Sequence, residues 1–249
     1  MSILRARCPD CRTLTAVAIG PEYQCHSCGR EFAAGMVRVP RAWGSGGETM
    51  AAGAWLDLPW PLAATIEESS LDDQIETFAR ELPERPFVLG GCCCSHVGAV
   101  RELARRLGRI GIVWLDSHGD LNTPESSPTG NQWGMPLRML IDGGDVLATD
   151  VTLIGARNLD PPEVEFIAQA GVHQELGELP DRIYVALDLD VVDPPDLDVF
   201  MPEPAGITLG DLEQLLAGLP RPVGAGFTGH LASERNVTAL TRLGHALGL

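Results

Sequence analysis

A strand that ends in charged residues constrains the fold of this chain more than any other stretch. Residues 110–115 are apolar and rich in β-branched side chains, which is typical of a strand buried on both faces. The strand leads directly into Asp116, His118 and Asp120, which alternate with Ser and Gly. In extended backbone, side chains two residues apart point to the same side, so these three groups are expected to converge. The pattern predicts a metal site at the carboxyl end of the strand.

A second acidic cluster follows a second apolar run. Residues 183–187 are again typical of a buried strand, and they lead into Asp188 and Asp190. Carboxylates packed into one cleft cannot all stay ionised without cations, so the two clusters together predict a pair of divalent ions. Oxygen ligands with one imidazole favour Mn²⁺ over Zn²⁺. The alternative is that these Asp residues cap helices and form turns.

The rest of the chain from residue 71 onward alternates between strand and helix patterns. The predicted strands are 87–89, 110–115, 151–154, 183–187 and 222–227, and the predicted helices are 71–82, 97–107, 136–141, 162–170, 210–216 and 234–247. This alternation indicates an α/β domain with a mostly parallel sheet and helices on both faces. Ligands of such folds bind beyond the carboxyl ends of the strands, where both acidic clusters are expected.

The N-terminal segment carries two CxxC pairs, and 13 residues separate them. Cys8, Cys11, Cys25 and Cys28 have the spacing of a four-thiolate zinc ribbon with one structural zinc. Two disulfides or a redox-active pair are the alternatives. The predicted organisation is a zinc ribbon at 1–32, a linker at 33–49 and an α/β domain at 50–249.

The charge balance limits the classes of partner. With 18 Lys and Arg against 34 Asp and Glu, the net charge of −16 argues against nucleic acid or an anionic membrane as the main partner. No apolar run approaches the length needed to cross a bilayer, and the first residues lack the apolar region of a signal peptide, so a cytoplasmic location is expected. A small-molecule substrate, assembly into a homo-oligomer and a protein partner for the ribbon are the expected interactions.

Three motifs in order carry a family resemblance. DSHGDLNTP, TGNQWGMP and DLDVVDP resemble the signatures DAHxD, SGNxHG and DxDxxDP of the ureohydrolase family, the arginases and agmatinases. The resemblance extends from about residue 87 to the C-terminus. It implies a three-layer arginase-like α/β fold and a binuclear manganese centre that hydrolyses guanidino compounds.

The resemblance also implies a role for each acidic position. Asp116 and Asp188 would bridge the two metals, His118 and Asp190 would bind one of them, and Asp120 the other. Asp120 would also serve in catalysis, since a carboxylate that takes a proton from the attacking water can pass it to the leaving amine. The substrate would contact a polar loop, whose matching positions here are Asn122, Ser127, Thr129, Asn131 and Trp133.

One departure from the family pattern concerns the metal ligands. Where relatives usually read GGDHS, this chain has Gly-Gly followed by Cys92, Cys93 and Cys94, and Cys93 takes the place of a metal-binding His. A thiolate favours zinc or iron over manganese, so Cys93 makes the identity of the metals uncertain. His96 is an alternative ligand or a nearby base, and small-residue packing is the alternative for the cysteines.

Two further departures concern the substrate. Trp133 replaces a His that is proposed to shuttle protons, and no carboxylate follows the last strand, where the family grips the guanidinium. His230 is predicted to occupy that place as a catalytic residue, and Glu203 and Glu234 are alternatives that lie near it in sequence. The expected function is a metal-dependent hydrolase of a guanidino- or amidino-like small molecule other than arginine. The alternative is an inactive family member that binds or regulates.

Overall fold

The computed structural model describes residues 5–6, 8, 10–11, 13, 15–19, 22–32 and 35–249. In this part of the chain the strands form two separate sheets, one of four strands near the N-terminus and one of seven strands. The seven-stranded sheet carries the acidic clusters at its edge, so it determines where the candidate site lies.

The N-terminal sheet is antiparallel and small. Its strands, in spatial order, are β1 (Arg5–Ala6), β2 (Ala16–Ile19), β3 (Glu22–Cys25) and β4 (Glu31–Phe32). The turn after β3 ends at Gly29, whose φ of 76° is in the left-handed region that favours glycine.

The main sheet is parallel throughout. Its strands are β5 (Gly35–Val39), β6 (Leu62–Thr65), β7 (Pro86–Gly90), β8 (Gly111–Leu115), β9 (Val151–Ile154), β10 (Ile183–Asp188) and β11 (Gly224–Thr228). They lie in the order β6-β5-β7-β11-β10-β8-β9. Each strand and helix predicted from residue 71 onward is present within a few residues, which confirms the α/β interpretation.

Helices cover both faces of this sheet. They are α1 (Glu48–Gly53), α2 (Leu71–Glu81), α3 (Ser95–Leu107), α4 (Pro136–Asp142), α5 (Pro161–Ala170), α6 (Leu209–Gly218) and α7 (Glu234–Ala246). Buried side chains of α2 to α5 pack on one face of the sheet, and those of α6 and α7 pack on the other. The result is a three-layer fold with one apolar core on each side of the sheet.

The predicted linker at 33–49 is wrong. Residues 35–39 form β5, which pairs with β6 and β7 inside the main sheet, and α1 already begins at Glu48. The main domain therefore includes residues before the predicted boundary at 50. The five residues GMVRV are too short to show a clear period, and β6 lies in a Pro- and Trp-rich stretch without one.

The strand order brings the functional segments together. β7, β11, β10 and β8 are consecutive neighbours near the middle of the sheet, and they run in the same direction. The segments that follow these four strands therefore meet at one edge. That edge holds the cysteine triplet, both acidic clusters and the exit from β11.

Candidate metal centre

The four predicted aspartates form one buried cluster. Asp116 follows β8 and Asp188 ends the neighbouring strand β10, while Asp120 and Asp190 lie a few residues beyond them. All four are between 1% and 8% exposed. Four carboxylates in so dry a place require protons or cations, because unpaired buried charge is costly.

The ligand atoms divide into two groups that share one carboxylate. Asp116, His118 and Asp190 offer ligand atoms within 4.8 Å of one another, and so do Cys93, Asp116 and Asp120. Asp188 lies beside the second group, with its Oδ2 3.0 Å from the Cys93 Sγ. Two adjacent groups with Asp116 in common have the arrangement that a pair of bridged ions requires.

The convergence occurs by a different backbone route from the one expected. After Leu115 the chain leaves the strand conformation, and Asp120 has a φ of 54°, in the left-handed region. The backbone N–H of His118 donates to Oδ1 of Asp116 at 2.7 Å. Extended backbone is therefore not what brings these side chains together. A residue other than glycine at positive φ costs conformational energy, and such positions concentrate at functional sites.

The electrostatics of the cluster are those of crowded carboxylates. Burial, followed by the charges of neighbouring aspartates, raises the pKa of Asp116 and raises the pKa of both Asp120 and Asp188 well above the usual range. Oδ2 of Asp120 also has no hydrogen-bond partner in the described structure. Burial and mutual repulsion thus favour either protons or cations on these carboxylates.

His118 is held by the same carboxylates. Its Nδ1 lies 3.0 Å from Asp190 and 3.4 Å from Asp116. Burial by itself would lower the pKa of His118, but the hydrogen bonds to Asp116 and Asp190 raise it to about 12. Burial would likewise raise the pKa of Asp190, and the hydrogen bonds from His118 and Ser117 lower it instead. In the absence of a metal ion, the positive charge of protonated His118 balances the charge of Asp116 and Asp190, and a cation bound between these side chains could do the same.

Cys93 enters the cluster from the turn between β7 and α3. Its Sγ lies 3.0 Å from Asp188 and 3.1 Å from Oγ1 of Thr228, at the end of β11. His96 is not among the grouped ligand atoms, since its two ring nitrogens lie 3.0 Å from the Tyr184 hydroxyl and 3.4 Å from Thr228. Burial lowers the pKa of His96 to about 3, which keeps the ring neutral.

A cavity of about 270 Å³ opens above the cluster. All five predicted substrate-binding positions line it: Asn122, Ser127, Thr129, Asn131 and Trp133. The Trp133 ring packs edge-on against Phe200, with 5.9 Å between the ring centroids. Met50 and Met201 add further apolar surface. The cavity thus has a metal-ligating floor, a polar loop on one side and an apolar wall.

Two acidic residues of the cavity were not predicted. Asp160 and Glu163 both line it, and they form a capping box at the start of α5. Glu163 accepts from the backbone N–H groups of Leu121 and Asp160, and Asp160 accepts from the Asn122 side chain. The sequence signal was an Asp three residues before a Glu, which also predicts an ordinary helix start.

The structure contradicts a catalytic role for His230. The side chain is fully buried outside the cavity, and its Nε2 lies 3.1 Å from the carbonyl oxygen of Gly53 in α1. The ring turns away because α1 packs against the exit from β11. Glu234 lies in the first turn of α7, whereas Glu203 lies near the cluster, 3.9 Å from Nε2 of His118.

The N-terminal cysteines form a separate group. The sulfurs of Cys8 and Cys28 are 3.5 Å apart, as are those of Cys11 and Cys25, and all four lie within 4.8 Å of one another. Sulfurs that are each 2.3 Å from a tetrahedral zinc would lie about 3.8 Å apart. The spacing therefore fits four-thiolate coordination.

Both groups of side chains offer a set of donor atoms that fits a metal ion. The main cluster offers oxygen, nitrogen and sulfur donors in a buried place where carboxylates are crowded together, and the N-terminal group offers four thiols at tetrahedral spacing.

None of the helices in the described part of the chain has the length and apolarity that spanning a bilayer requires.

Comparison with known proteins points to one family. Residues 56–177, just under half of the chain, match the model of the arginase family. This segment is therefore similar to the arginase family. The arginase of Bacillus caldovelox is 34% identical over 143 residues, which are 45% of this chain and 48% of that protein. The chain therefore matches about half the length of this curated relative.

Solved structures of the arginase family share the fold over most of the chain. The crystal structure of Bacillus subtilis arginase covers 87% of this chain and 98% of its own, with a TM-score of 0.75 and 22% identity. The proclavaminate amidino hydrolase of Streptomyces clavuligerus covers 86% of this chain and 89% of its own, with a TM-score of 0.67 and 20% identity. The three-layer arginase-like fold predicted from the motifs is confirmed.

Proposed function

We propose that this chain is a metal-dependent hydrolase that cleaves a C–N bond in a small cationic guanidino or amidino compound other than arginine. The observation that carries the proposal is the pair of ligand groups sharing Asp116 on the floor of an acidic cavity. An arginase and an amidino hydrolase of the same fold make this reaction class the natural expectation.

The residues around the shared carboxylate would hold two divalent ions. Asp116 and Asp188 would contact both, His118 and Asp190 would hold one, and Asp120 with Cys93 the other. Two bound ions would lower the pKa of water and so supply a strong nucleophile at neutral pH. Manganese suits the half that offers only oxygen and imidazole nitrogen.

Asp120 is the residue best placed to move the proton. Its Oδ2 is buried and lacks a hydrogen-bond partner in the described structure, and the residue lines the cavity. A carboxylate in that place takes a proton from the attacking water and returns it to the nitrogen of the leaving group. The Trp133 side chain forms part of the cavity wall, and its indole ring has no acid–base group with which to shuttle a proton.

The charge of the cavity favours a cationic substrate. Six carboxylates line it, and none of the described residues around it is Lys or Arg. Two divalent ions neutralise four negative charges, so Asp160 and Glu163 still leave the wall negative. A histidine at the mouth would have favoured a neutral or anionic substrate, and His230 does not reach the cavity.

The exit from β11 disfavours arginine. Thr228 ends that strand and binds Cys93 and Asp188, and no carboxylate accompanies it to grip a guanidinium from that side. A lost charge-assisted hydrogen bond costs about 1.5–3 kcal/mol. Arginine, and any other guanidinium that must be gripped from this side, should therefore bind less tightly by a factor of roughly ten to a hundred.

We also propose that Cys8, Cys11, Cys25 and Cys28 hold one structural zinc. Their sulfur spacing supports four-thiolate coordination, and so few residues bury too little apolar surface to fold without such a ligand. A partner-binding role for this ribbon and homo-oligomer formation remain expectations from the sequence.

The test is a substrate survey with the metal-loaded full-length protein. Arginine, agmatine and shorter amidino and guanidino compounds are incubated with it, and release of urea, ammonia or amine is measured. We expect turnover of at least one non-arginine compound on the order of 10 s⁻¹. Asp120→Asn should lower that rate by roughly 10²–10⁴-fold, the usual worth of a positioned proton carrier.

Asp145→Asn is the matched control, because Asp145 pairs with Arg101 away from the cavity. Its rate should equal that of the unaltered protein. If no compound is hydrolysed while both ions are bound, the inactive binding protein is the better account. Turnover of arginine at a rate equal to that of the preferred compound would contradict the substrate assignment.

A further inference from the structure

The two halves of the main cluster differ in one donor atom. The half around His118 offers an imidazole nitrogen with the carboxylates of Asp116 and Asp190. The half around Cys93 offers a sulfur with the carboxylates of Asp116 and Asp120. Sulfur is a soft donor that favours zinc-class ions, whereas oxygen and imidazole accept manganese. The halves therefore differ in the ion that they prefer.

The thiol of Cys93 is built into the centre rather than lying beside it. The side chain is 4% exposed, and its sulfur lies 3.0 Å from Asp188 and 3.7 Å from Asp116. Little solvent reaches this residue, and two carboxylates of the centre face its sulfur. An ion between these oxygens would meet the sulfur as its next donor.

A hydroxyl also lies beside the Cys93 sulfur. Oγ1 of Thr228 is 3.1 Å from that sulfur and 3.3 Å from Oδ2 of Asp188, and Nε2 of His96 lies behind it at 3.4 Å. The Thr228 hydroxyl can therefore donate to Cys93 or to Asp188. A donor aimed at a metal ligand orients it and tunes the metal.

We propose that the centre is a mixed-metal site in which the Cys93 half binds a zinc-class ion and the His118 half binds manganese. This inference rests on the binuclear centre of the proposed function and adds the identity of each ion. Binding at Cys93 releases the thiol proton to solvent, and the resulting thiolate becomes the sulfur ligand.

Selectivity is what separates this proposal from two equivalent sites. Most protein sites bind zinc more tightly than manganese, so both halves take zinc when it is abundant. The Cys93 thiolate increases the preference for zinc over manganese in its own half of the centre only. As zinc is raised against a fixed excess of manganese, the Cys93 half should exchange first and leave a stable state with one zinc and one manganese.

The experiment measures both metals in the full-length protein. Metal-free protein is dialysed against manganese with graded amounts of zinc, and zinc and manganese per chain are determined by elemental analysis. Counting the ribbon zinc, the unaltered protein should show a plateau at two zinc and one manganese per chain. In Cys93→Ser, which keeps the size but replaces sulfur with oxygen, the second zinc should enter only at a zinc-to-manganese ratio at least about tenfold higher, which corresponds to 1.4 kcal/mol.

Cys94→Ser is the matched control. Cys94 is the neighbouring buried cysteine, and its Sγ donates to the carbonyl oxygen of Gln132 rather than facing the carboxylates. A serine keeps that donor, so this variant should give the plateau of the unaltered protein. Cobalt loading supplies a second readout, because the near-ultraviolet sulfur-to-cobalt absorption should be weaker in Cys93→Ser and unchanged in Cys94→Ser.

The outcomes distinguish this inference from the proposed function. Both sites of the centre could take up zinc at the same zinc-to-manganese ratio, in the unaltered protein and in Cys93→Ser alike. That result would overturn the mixed-metal proposal and leave the binuclear hydrolase intact. Unchanged cobalt absorption in Cys93→Ser would overturn it as well. Absence of any metal beyond the ribbon zinc would overturn the binuclear centre itself, and both proposals with it.

Discussion

The chain carries two groups of cysteines, and the proposed metal sites that contain them are built in opposite ways. In the N-terminal sheet, four cysteines would supply a complete tetrahedral set by themselves, and Cys28 is exposed at the surface. In the main domain, Cys93 is buried, and it would become a ligand only because strands β7, β8 and β10 bring carboxylates to it. The first site is local in sequence, whereas the second depends on the whole sheet.

This difference has consequences for stability. A local cluster such as the ribbon folds with its metal, because few apolar contacts order the chain in its absence. The main cluster sits on a large two-sided core that orders its ligands before any ion arrives. We therefore expect the ribbon to need zinc in order to fold, and the main domain to need its ions mainly for chemistry.

The largest expected effect comes from removing one ribbon cysteine. Cys25→Ser should release one zinc per chain and unfold the N-terminal segment, since structural zinc contributes on the order of 10 kcal/mol to such a fold. Elemental analysis and hydrogen exchange check this result. The main-domain metals should stay, because the N-terminal sheet contributes no side chain to the grouped ligand atoms of the main cluster. Loss of those metals as well would break the comparison.

A glycine tests how tightly the main cluster depends on the sheet. Gly229 has a φ of 72°, and an added Cβ would fall on the Asp188 carboxylate. Gly229→Ala should therefore displace this ligand and remove metal from the centre while the ribbon zinc remains, as elemental analysis would show. Gly144→Ala is the control, because Gly144 has the same φ with open space around it.

Both glycine variants carry a backbone cost of about 1–2 kcal/mol, because an L side chain is disfavoured at positive φ. A difference in metal content between them is then due to the contact with Asp188. Equal metal content in the two variants would show that the main site tolerates movement of a strand end, and that its geometry is less dependent on the sheet than we infer.

His230 tests the framework behind the main cluster, and the effect depends on pH. Burial, only partly offset by hydrogen bonding to the backbone, lowers the pKa of His230 from 6.5 to about 4. The folded state therefore resists protonation, so its stability is full above pH 6.5 and is lost as the pH falls towards 4, by about 3 kcal/mol. His230→Gln should flatten this dependence in denaturant unfolding at pH 7 and pH 4.5. If the unfolding free energy of His230→Gln falls between pH 7 and pH 4.5 as much as that of the unaltered protein, the burial of this ring is contradicted.

The smallest expected effect is that of Cys94→Ser on stability. The serine keeps the hydrogen bond to Gln132 but adds a more polar group to an apolar cluster, at a cost of about 1 kcal/mol. The measurement is the free energy of unfolding. A much larger loss would mean that the cysteine triplet acts as one unit, which would weaken the distinction between Cys93 and its neighbours.

The parts of the fold that the sequence predicts well are those with long uniform patterns. The buried runs at 110–115 and 183–187 predicted β8 and β10 because a strand covered on both faces needs continuous apolar sequence. The strands β5 and β6 escaped prediction because GMVRV is short and the Trp- and Pro-rich stretch before Ala64 has no period. Pairing of β5 with β7, and of β6 with β5, decides their conformation, and pairing is not visible in a single short segment.

The same contrast holds within the site. The motif that contains Asp116 and Asp120 predicted that these side chains converge, and they do, although the backbone there turns rather than extends. Their role as metal ligands stays a prediction. Asp160 and Glu163 were hidden because their spacing also describes a helix cap. The direction of His230 depends on the packing of α1 against β11, a tertiary contact that no local pattern encodes.

The most direct test of the account is the number of metal ions in the full-length protein and in its Asp116→Asn, Asp188→Asn double variant. Both substitutions keep the shape of the side chains and remove the two bridging charges. We predict three ions per chain in the unaltered protein and one, the ribbon zinc, in the double variant, with the fold retained by circular dichroism. Equal metal content in the two proteins would contradict a centre organised around these shared carboxylates.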